Sequence, residues 1–544
     1  MATSRSGAGL VWIDRALLWV PFALLVSLTF VSTADDPLIT LRYATNVLHG
    51  HGPVFNVGQR VEGYTSPLHL ALDVVLIAIP YGHALVKAKL ASLLFGVLTV
   101  HAAGRLVRTA PVPRWATRVG LLLVGSSYLL VYAAGNGLET SMAAWLTTLL
   151  VTRCCDGRSP RTPVVTGVIA GLCFLARPDA ALLITALALC SVAVEKAVPL
   201  RARVAWLAPA AAVVAASEVA RVWYYGQWLP NTFYAKQVPV ATGFVKGASY
   251  LLTSAAPGRG AVSALVVILT LAGLLTSLVV GIRVIVGARG PMLYAVAAVG
   301  AQVAFILRAG GDWMIGGRFL APVAPELVLM QIVGVAAIAA DLQTRDRIPL
   351  ASTRAFAGLV IVGALAPALI MHGAVWSTAG RTTDKALLAA GGYPQTPIWL
   401  EGADLLDCAA PGASVAYSEM GWAPWTHANL NFLDLRGLTD PKIASQTPAS
   451  DHTPDGVVDP NWASPSSVSG KAILAANVQF ILVLGTPDAV RPGGHPPTTV
   501  LGGRYTPARS AVSGTSELVL YRRTDTPCAA SLPNAVTQLG TATN

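Results

Sequence analysis

Charge is what this chain lacks. Only 12% of its 544 residues are Asp, Glu, Lys or Arg, against roughly 25% in a soluble globular protein. With 54% apolar residues and a mean hydropathy of +0.59, that shortage excludes a disordered chain, which needs low hydrophobicity and high net charge. It also excludes a soluble enzyme of this length. Basic stretches interleaved with aromatics are missing, so the net charge of +11 gives no reason to expect nucleic acid. In a membrane protein such an excess marks cytoplasmic loops. Cysteine is sparse, at six residues, and no C-x-x-C or His/Cys spacing indicates zinc. No internal repeat is visible, which weighs against inverted-repeat transporters.

Long apolar runs are what is present. A membrane span takes about 20 such residues, and eleven runs qualify or come close: 16–31, 84–104, 117–134, 138–152, 163–176, 180–194, 204–220, 261–282, 291–307, 319–340 and 355–372. The first ends at a small-residue pattern, Ser32-Thr33-Ala34, that fits signal cleavage. Its apolar stretch is long for a cleaved core, so we read it as a retained span. With the N-terminus in the cytoplasm, the even-numbered gaps hold Arg105, Arg108, Arg114 and Arg118, then Arg153, Arg158 and Arg161, then Lys196, Arg201 and Arg203, then Arg283 and Arg289, then Arg345 and Arg347. Every one is basic, as the positive-inside rule requires. The run 68–79 is too short to span and contains Asp73; it reads as a juxtamembrane or re-entrant helix. The chain therefore divides into a transmembrane catalytic module, 1–372, and an extracytoplasmic domain, 373–544. The second part is richer in Pro, Gly, Asp and Thr, with strand-like runs at Ser414–Tyr417, 478–484 and 518–521 and a Pro/Ser/Asp-rich loop at 444–470. It reads as a small mixed α/β domain. Cys154 and Cys155 fall at a cytoplasmic end and Cys173 and Cys190 within spans. Cys408 and Cys528 alone are in the outer domain, where an oxidising compartment permits a disulfide.

The odd-numbered, outward gaps collect polar residues. The first holds Asp35, Asp36, Arg42, His49, His51, Glu62, Tyr64, Thr65 and Ser66. Later ones hold Glu139, then Arg177 and Asp179, then Asn231 and Lys236, then Arg308, Asp312 and Arg318. Acid and base at a bilayer edge are costly unless paired, hydrated or used, so their common side implies one shared outer cavity. Asp35 and Asp36 suit a general base or a divalent cation, Mg or Mn. Arg42, Lys236, Arg308 and Arg318 suit a phosphate. Plainer readings stay open: Asp35, Asp36, Glu139 and Asp179 as helix caps, Arg177–Asp179 as a structural pair, Lys236 and Arg318 as snorkelling anchors, and His49 and His51 as loop residues.

The strings ADDPLITLRYATNVLHGHGPVFNVGQRVEGYTSP, GNGLETS, ARPDA, YYGQWLPNTFYAK, GGDWMIGGRFLAP, VAYSEMGWAPW and FLDLRGLTDP resemble, in order, the GT-C superfamily of integral-membrane glycosyltransferases. Within it they resemble the mycobacterial terminal arabinofuranosyltransferase group. The resemblance implies a GT-C fold of about 11 transmembrane helices in a bacterial plasma membrane. It implies a polyprenyl-phosphate donor such as decaprenyl-phosphoryl arabinose, and a cell-wall glycan (arabinogalactan) or glycolipid acceptor outside. By position, Asp35 and Asp36 are its catalytic candidates, and Glu62, Thr65 and Ser66 line its cavity. A mannosyltransferase of the same fold and a lipid or glycan transporter are the alternatives; a transporter would place ionisable residues mid-span, where this chain has almost none.

Overall fold

The structure, a computed structural model, describes residues 4–30, 35–157, 160–194, 196–255, 290, 292–312, 314, 317–344, 403–447, 452–453, 456–457, 462–485, 499–513 and 516–528. Nine of the eleven apolar runs fall on its helices. The runs at 261–282 and 355–372, and the domain boundary at 372/373, lie outside the described residues. Among the described residues five helices are long and apolar enough to cross a membrane: Val11–Thr29, Ala84–Thr109, Arg114–Gly135, Leu200–Tyr225 and Met292–Ala309.

In chain order the elements that position the site are α1 (Ser4–Thr29), α2 (Pro37–Leu48), α3 (Pro67–Ala78), α4 (Ala84–Thr109), α5 (Arg114–Gly125), α6 (Tyr128–Gly135), α7 (Thr140–Cys155), α8 (Pro163–Ala176), α9 (Ala180–Val194), α10 (Leu200–Val204), α11 (Leu207–Tyr225), α12 (Asn231–Ala235), α13 (Val240–Ala255), α14 (Met292–Ala309) and α15 (Ala324–Thr344). Helix α3 has 12 residues and is therefore about 18 Å long, short of the roughly 30 Å of a hydrocarbon core. The expected third span is broken between α5 and α6, where the Ser126 hydroxyl bonds back to the Leu122 carbonyl; such back-bonding bends helices. Small residues set the helix contacts. A Cβ on Gly167 of α8 would strike the Trp206 carbonyl and Pro209, so α8 and α11 approach as closely as packing in lipid favours.

The C-terminal domain carries a five-stranded sheet in the order β2-β1-β5-β7-β6: β1 (Ser414–Tyr417), β2 (Asn431–Asp434), β5 (Phe480–Gly485), β6 (Tyr505–Ser513) and β7 (Ser516–Arg523). β1 runs parallel to β2 and β5, and β7 runs antiparallel to β5 and β6. Three of these strands match the expected runs; β2 and β6 were not expected. The 444–470 stretch is not loop throughout, since it includes a short hairpin, β3 (His452–Thr453) with β4 (Gly456–Val457). A Cys408–Cys528 disulfide ties the turn at Leu406–Cys408 to the segment that follows β7. The sheet does not stand apart from the membrane helices. Leu38, Leu41 and Tyr43 of α2 share one hydrophobic core with Trp422, Phe432, Phe480 and Leu520.

Candidate active site

The segment between α1 and α3 does two different jobs. Asp35 is 3% exposed, and both its oxygens are taken: Oδ2 accepts the Gly421 N–H at 2.8 Å and Oδ1 the Trp422 N–H at 2.7 Å. Burial pushes its carboxyl well up, with Glu419 and Asp36 adding to the rise and the two amides opposing it. Position 421 must be glycine, because a Cβ there would collide with that carboxylate. Arg42 is buried between the Phe55 and Phe432 rings, 4.6 and 5.4 Å from their centroids. Its guanidinium donates to the carbonyls of Phe55 (2.9 Å), Leu430 (3.0 Å) and Pro424. The Asn56 amide donates to the Phe432 carbonyl at 2.7 Å and accepts its N–H at 3.0 Å, standing in for a strand beside β2. The Asn231 side chain donates to the carbonyls of Gly437 (2.7 Å) and Leu438 (3.0 Å), while its own N–H donates to the Glu62 carbonyl at 2.9 Å. These four side chains fasten the C-terminal domain to the membrane helices through its backbone.

Asp36 points into a charged cluster instead. It sits at the N-cap of α2 but makes no side-chain cap bond, so the capping reading does not hold. Arg318 Nη1 lies 3.7 Å from its Oδ2, and about a quarter of its side chain is exposed (24%). Burial raises its carboxyl, Arg318 and Lys236 pull back, and Asp312 and Glu419 push up again, for a net rise. Arg318 grips Asp312 with two bonds, 2.7 and 3.2 Å. Arg177 bonds Asp179 at 3.0 Å and Glu139 at 3.2 Å, and Gln302 donates to Asp179 at 3.2 Å. Glu139 has Arg318 and His69 as further charged neighbours and makes no cap bond on α7. Acid and base from four separate interhelical loops thus converge, with Lys236 of a fifth within electrostatic reach of Asp36.

The four cations expected on a phosphate separate. Arg42 is committed to backbone carbonyls, which corrects its assignment. Arg308 is exposed and donates to the Val238 carbonyl at 3.3 Å. Arg318 is shared among carboxylates. Lys236 makes no side-chain hydrogen bond or ion pair among the described residues. Glu62, Tyr64, Thr65 and Ser66 do not line the Asp36 cluster. Glu62 pairs with Arg221 at 2.6 Å, which also holds Glu218, and Tyr64 meets Tyr225 hydroxyl to hydroxyl at 3.0 Å. Thr65 is exposed, and Ser66 caps α3 through the His69 N–H. Asp35 and Asp36 turn to different partners, Asp35 to two backbone amides and Asp36 toward Arg318, and no cluster of three His, Cys, Asp or Glu forms among the described residues.

Two features escaped the sequence. Glu419, on the loop after β1, is a charged neighbour of both aspartates, and it is held by Arg436 at 3.2 Å. His69 Nδ1 lies 3.4 Å from the buried Asp73 on α3. Glu419 lies in the string VAYSEMGWAPW, but nothing local says that the string reaches the membrane site.

No family model matches the chain. It is 34% identical over 221 residues to a terminal β-(1→2)-arabinofuranosyltransferase of Mycobacterium tuberculosis, covering 37% of this chain and 34% of that protein. It is 29% identical over 346 residues to the Corynebacterium glutamicum protein of the same description, covering 56% and 48%. The chain thus spans about a third to a half of the length of these curated relatives. Among solved structures, the Archaeoglobus fulgidus oligosaccharyltransferase, tethered with an acceptor peptide, matches at a TM-score of 0.51 with 12% identity, over 94% of this chain and 74% of that one. In sequence the chain is similar to terminal arabinofuranosyltransferases and in fold to that oligosaccharyltransferase, so its resemblance to the GT-C membrane glycosyltransferases stands.

Proposed function

We propose that this chain is a membrane glycosyltransferase that moves a sugar, arabinofuranose first among candidates, from a polyprenyl-phosphate donor to a cell-envelope glycan or glycolipid on the outer face. The single observation that carries the reading is the setting of Asp36: a partly exposed carboxylate, its pKa raised above the ordinary value by burial, with Arg318 3.7 Å away and Lys236 within electrostatic reach. In the proposed step Asp36 takes the proton from an acceptor hydroxyl, and that oxygen attacks the anomeric carbon. The bond from that carbon to the phosphate oxygen breaks, and its electron pair leaves on the polyprenyl phosphate. Lys236, assisted by Arg318, offsets the charge that develops there. A base with a raised pKa is better matched to neutral operation than an ordinary aspartate.

The outward orientation draws support from the Cys408–Cys528 disulfide, which belongs to an oxidising compartment, and from the basic even-numbered gaps. Purified protein incubated with radiolabelled decaprenyl-phosphoryl arabinose, or the mannose analogue, and a synthetic acceptor tests the reading, and the donor consumed names the sugar. A transporter would consume neither. Asp36→Asn is expected to lower turnover about 10²–10⁴-fold while the protein still folds. Near-normal turnover in that variant would remove Asp36 from the mechanism.

A further inference from the structure

We infer that Glu419 and Arg436 of the outer domain form the subsite for the acceptor, a polyhydroxylated sugar, within electrostatic reach of Asp36; this rests on the transferase reading. The loop that carries Glu419 is pinned in place, because Asp35 accepts the N–H groups of Gly421 and Trp422, two and three residues further on. Asp35 and Asp36 are consecutive, so fastening one fixes Glu419 against the other, and Glu419 is a charged neighbour of both. The Glu419 side chain is 19% exposed and that of Arg436 29%, enough for a solute to reach them. Oε1 of Glu419 accepts from Ser418 Oγ and Arg436 Nη2, both at 3.2 Å, while Oε2 has no hydrogen-bond partner among the described residues. A held carboxylate with one open oxygen, beside a guanidinium, suits the donor and acceptor pattern of neighbouring sugar hydroxyls.

The charges around Asp36 are sorted. Lys236 and Arg318 come from membrane-side segments and suit an anionic phosphate. Glu419 comes from the aqueous side and would repel one. A hydroxyl-bearing molecule entering beneath the outer domain meets Glu419 and Arg436 first, and one hydroxyl is then presented to Asp36. The outer domain thus supplies recognition and the membrane helices supply the base and the phosphate site.

The test is direct binding of a synthetic arabinofuranosyl trisaccharide to the full chain by titration calorimetry, independent of turnover. Glu419→Gln and Arg436→Gln are each expected to weaken binding roughly ten- to hundredfold, the loss of a hydrogen bond to a charged group, with an unchanged thermal midpoint. Glu419→Asp keeps the charge for Arg436 but withdraws the open oxygen by one methylene, and it is expected to weaken binding several-fold. Affinities within twofold of wild type in these variants would overturn the subsite. Donor transfer by the wild type is measured separately. Glu419-dependent binding without any transfer would sink the transferase reading and leave the subsite standing, whereas transfer with Glu419-independent binding would do the reverse.

Discussion

Arg42 lets two readings of one residue be told apart. As a phosphate ligand it would matter to the donor; as the structure places it, it matters to the joint between the domains. Three carbonyls lean on its guanidinium, those of Phe55, Pro424 and Leu430, and two aromatic rings enclose it. Burial lowers its pKa to about 10, so it stays charged at neutral pH. Each hydrogen bond to a charged group is worth about 1.5 kcal/mol at the low end, so Arg42→Ala is expected to cost about 4 kcal/mol of docking. That is a large share of the 5–15 kcal/mol of a typical domain. Lysine is no substitute, because an ammonium cannot fork across three carbonyls, and Arg42→Lys is expected to cost about half as much. The assay is limited proteolysis of the membrane-embedded protein, read as the cleavage rate of the outer domain, alongside donor KM. The alanine variant is expected to be cleaved at least a hundredfold faster when opening is fast relative to cleavage, with the donor KM of the intact fraction unchanged. Wild-type protection together with a raised donor KM in Arg42→Lys would refute the clamp and restore the phosphate role.

Two further outcomes follow from the site. Lys236→Gln is expected to raise donor KM roughly tenfold with an unchanged melting temperature, whereas Arg308→Gln, whose side chain holds the Val238 carbonyl, is expected to leave donor KM unchanged; the reverse ranking in steady-state assays would reassign the phosphate site. Burial pushes the Asp434 carboxyl up to about 6, against the amides and hydroxyl of Arg436 and Thr439 that favour its charged form. Its contribution to stability is therefore fully present below about pH 4 and is lost as pH rises through about 6, so calorimetric scans of Asp434→Asn are expected to lack the decline that the wild type shows between pH 4 and 7.

The membrane half was legible because its signal is local. Apolar runs longer than a dozen residues declare themselves without knowledge of the fold, and the helices at Ala84–Thr109 and Met292–Ala309 lie where their hydropathy puts them. The convergence of Glu139, Arg177, Asp179, Asp312 and Arg318 was legible for a similar reason, since ionisable groups at span ends have few affordable places to go. β2 and β6 were not. Asn431–Asp434 is four residues long and takes its strand form from β1 and from the Asn56 side chain, a partner 376 residues away in sequence. Glu62 and Arg42 were placed in the cavity because they share an outward gap with Asp36, yet each has a partner inside the protein that no gap assignment can see: Arg221 for one, three backbone carbonyls for the other.

Asp35 and Asp36 show where the limit lies. Adjacent residues at the start of a helix point about 100° apart, so two identical side chains in the string DDP must face different surroundings, and the string itself cannot say which faces which. The decision belongs to Gly421 and Trp422, whose amides claim Asp35, and to Arg318, which lies beside Asp36. The consequence is mechanical as well as chemical. On the proposed function, Asp36 keeps its position only while its neighbour keeps the C-terminal domain seated, so a change that loosens Asp35 is expected to impair Asp36 without touching it. The two carboxylates that looked interchangeable in the sequence are then a fastening for the C-terminal domain and, on the proposed function, a base.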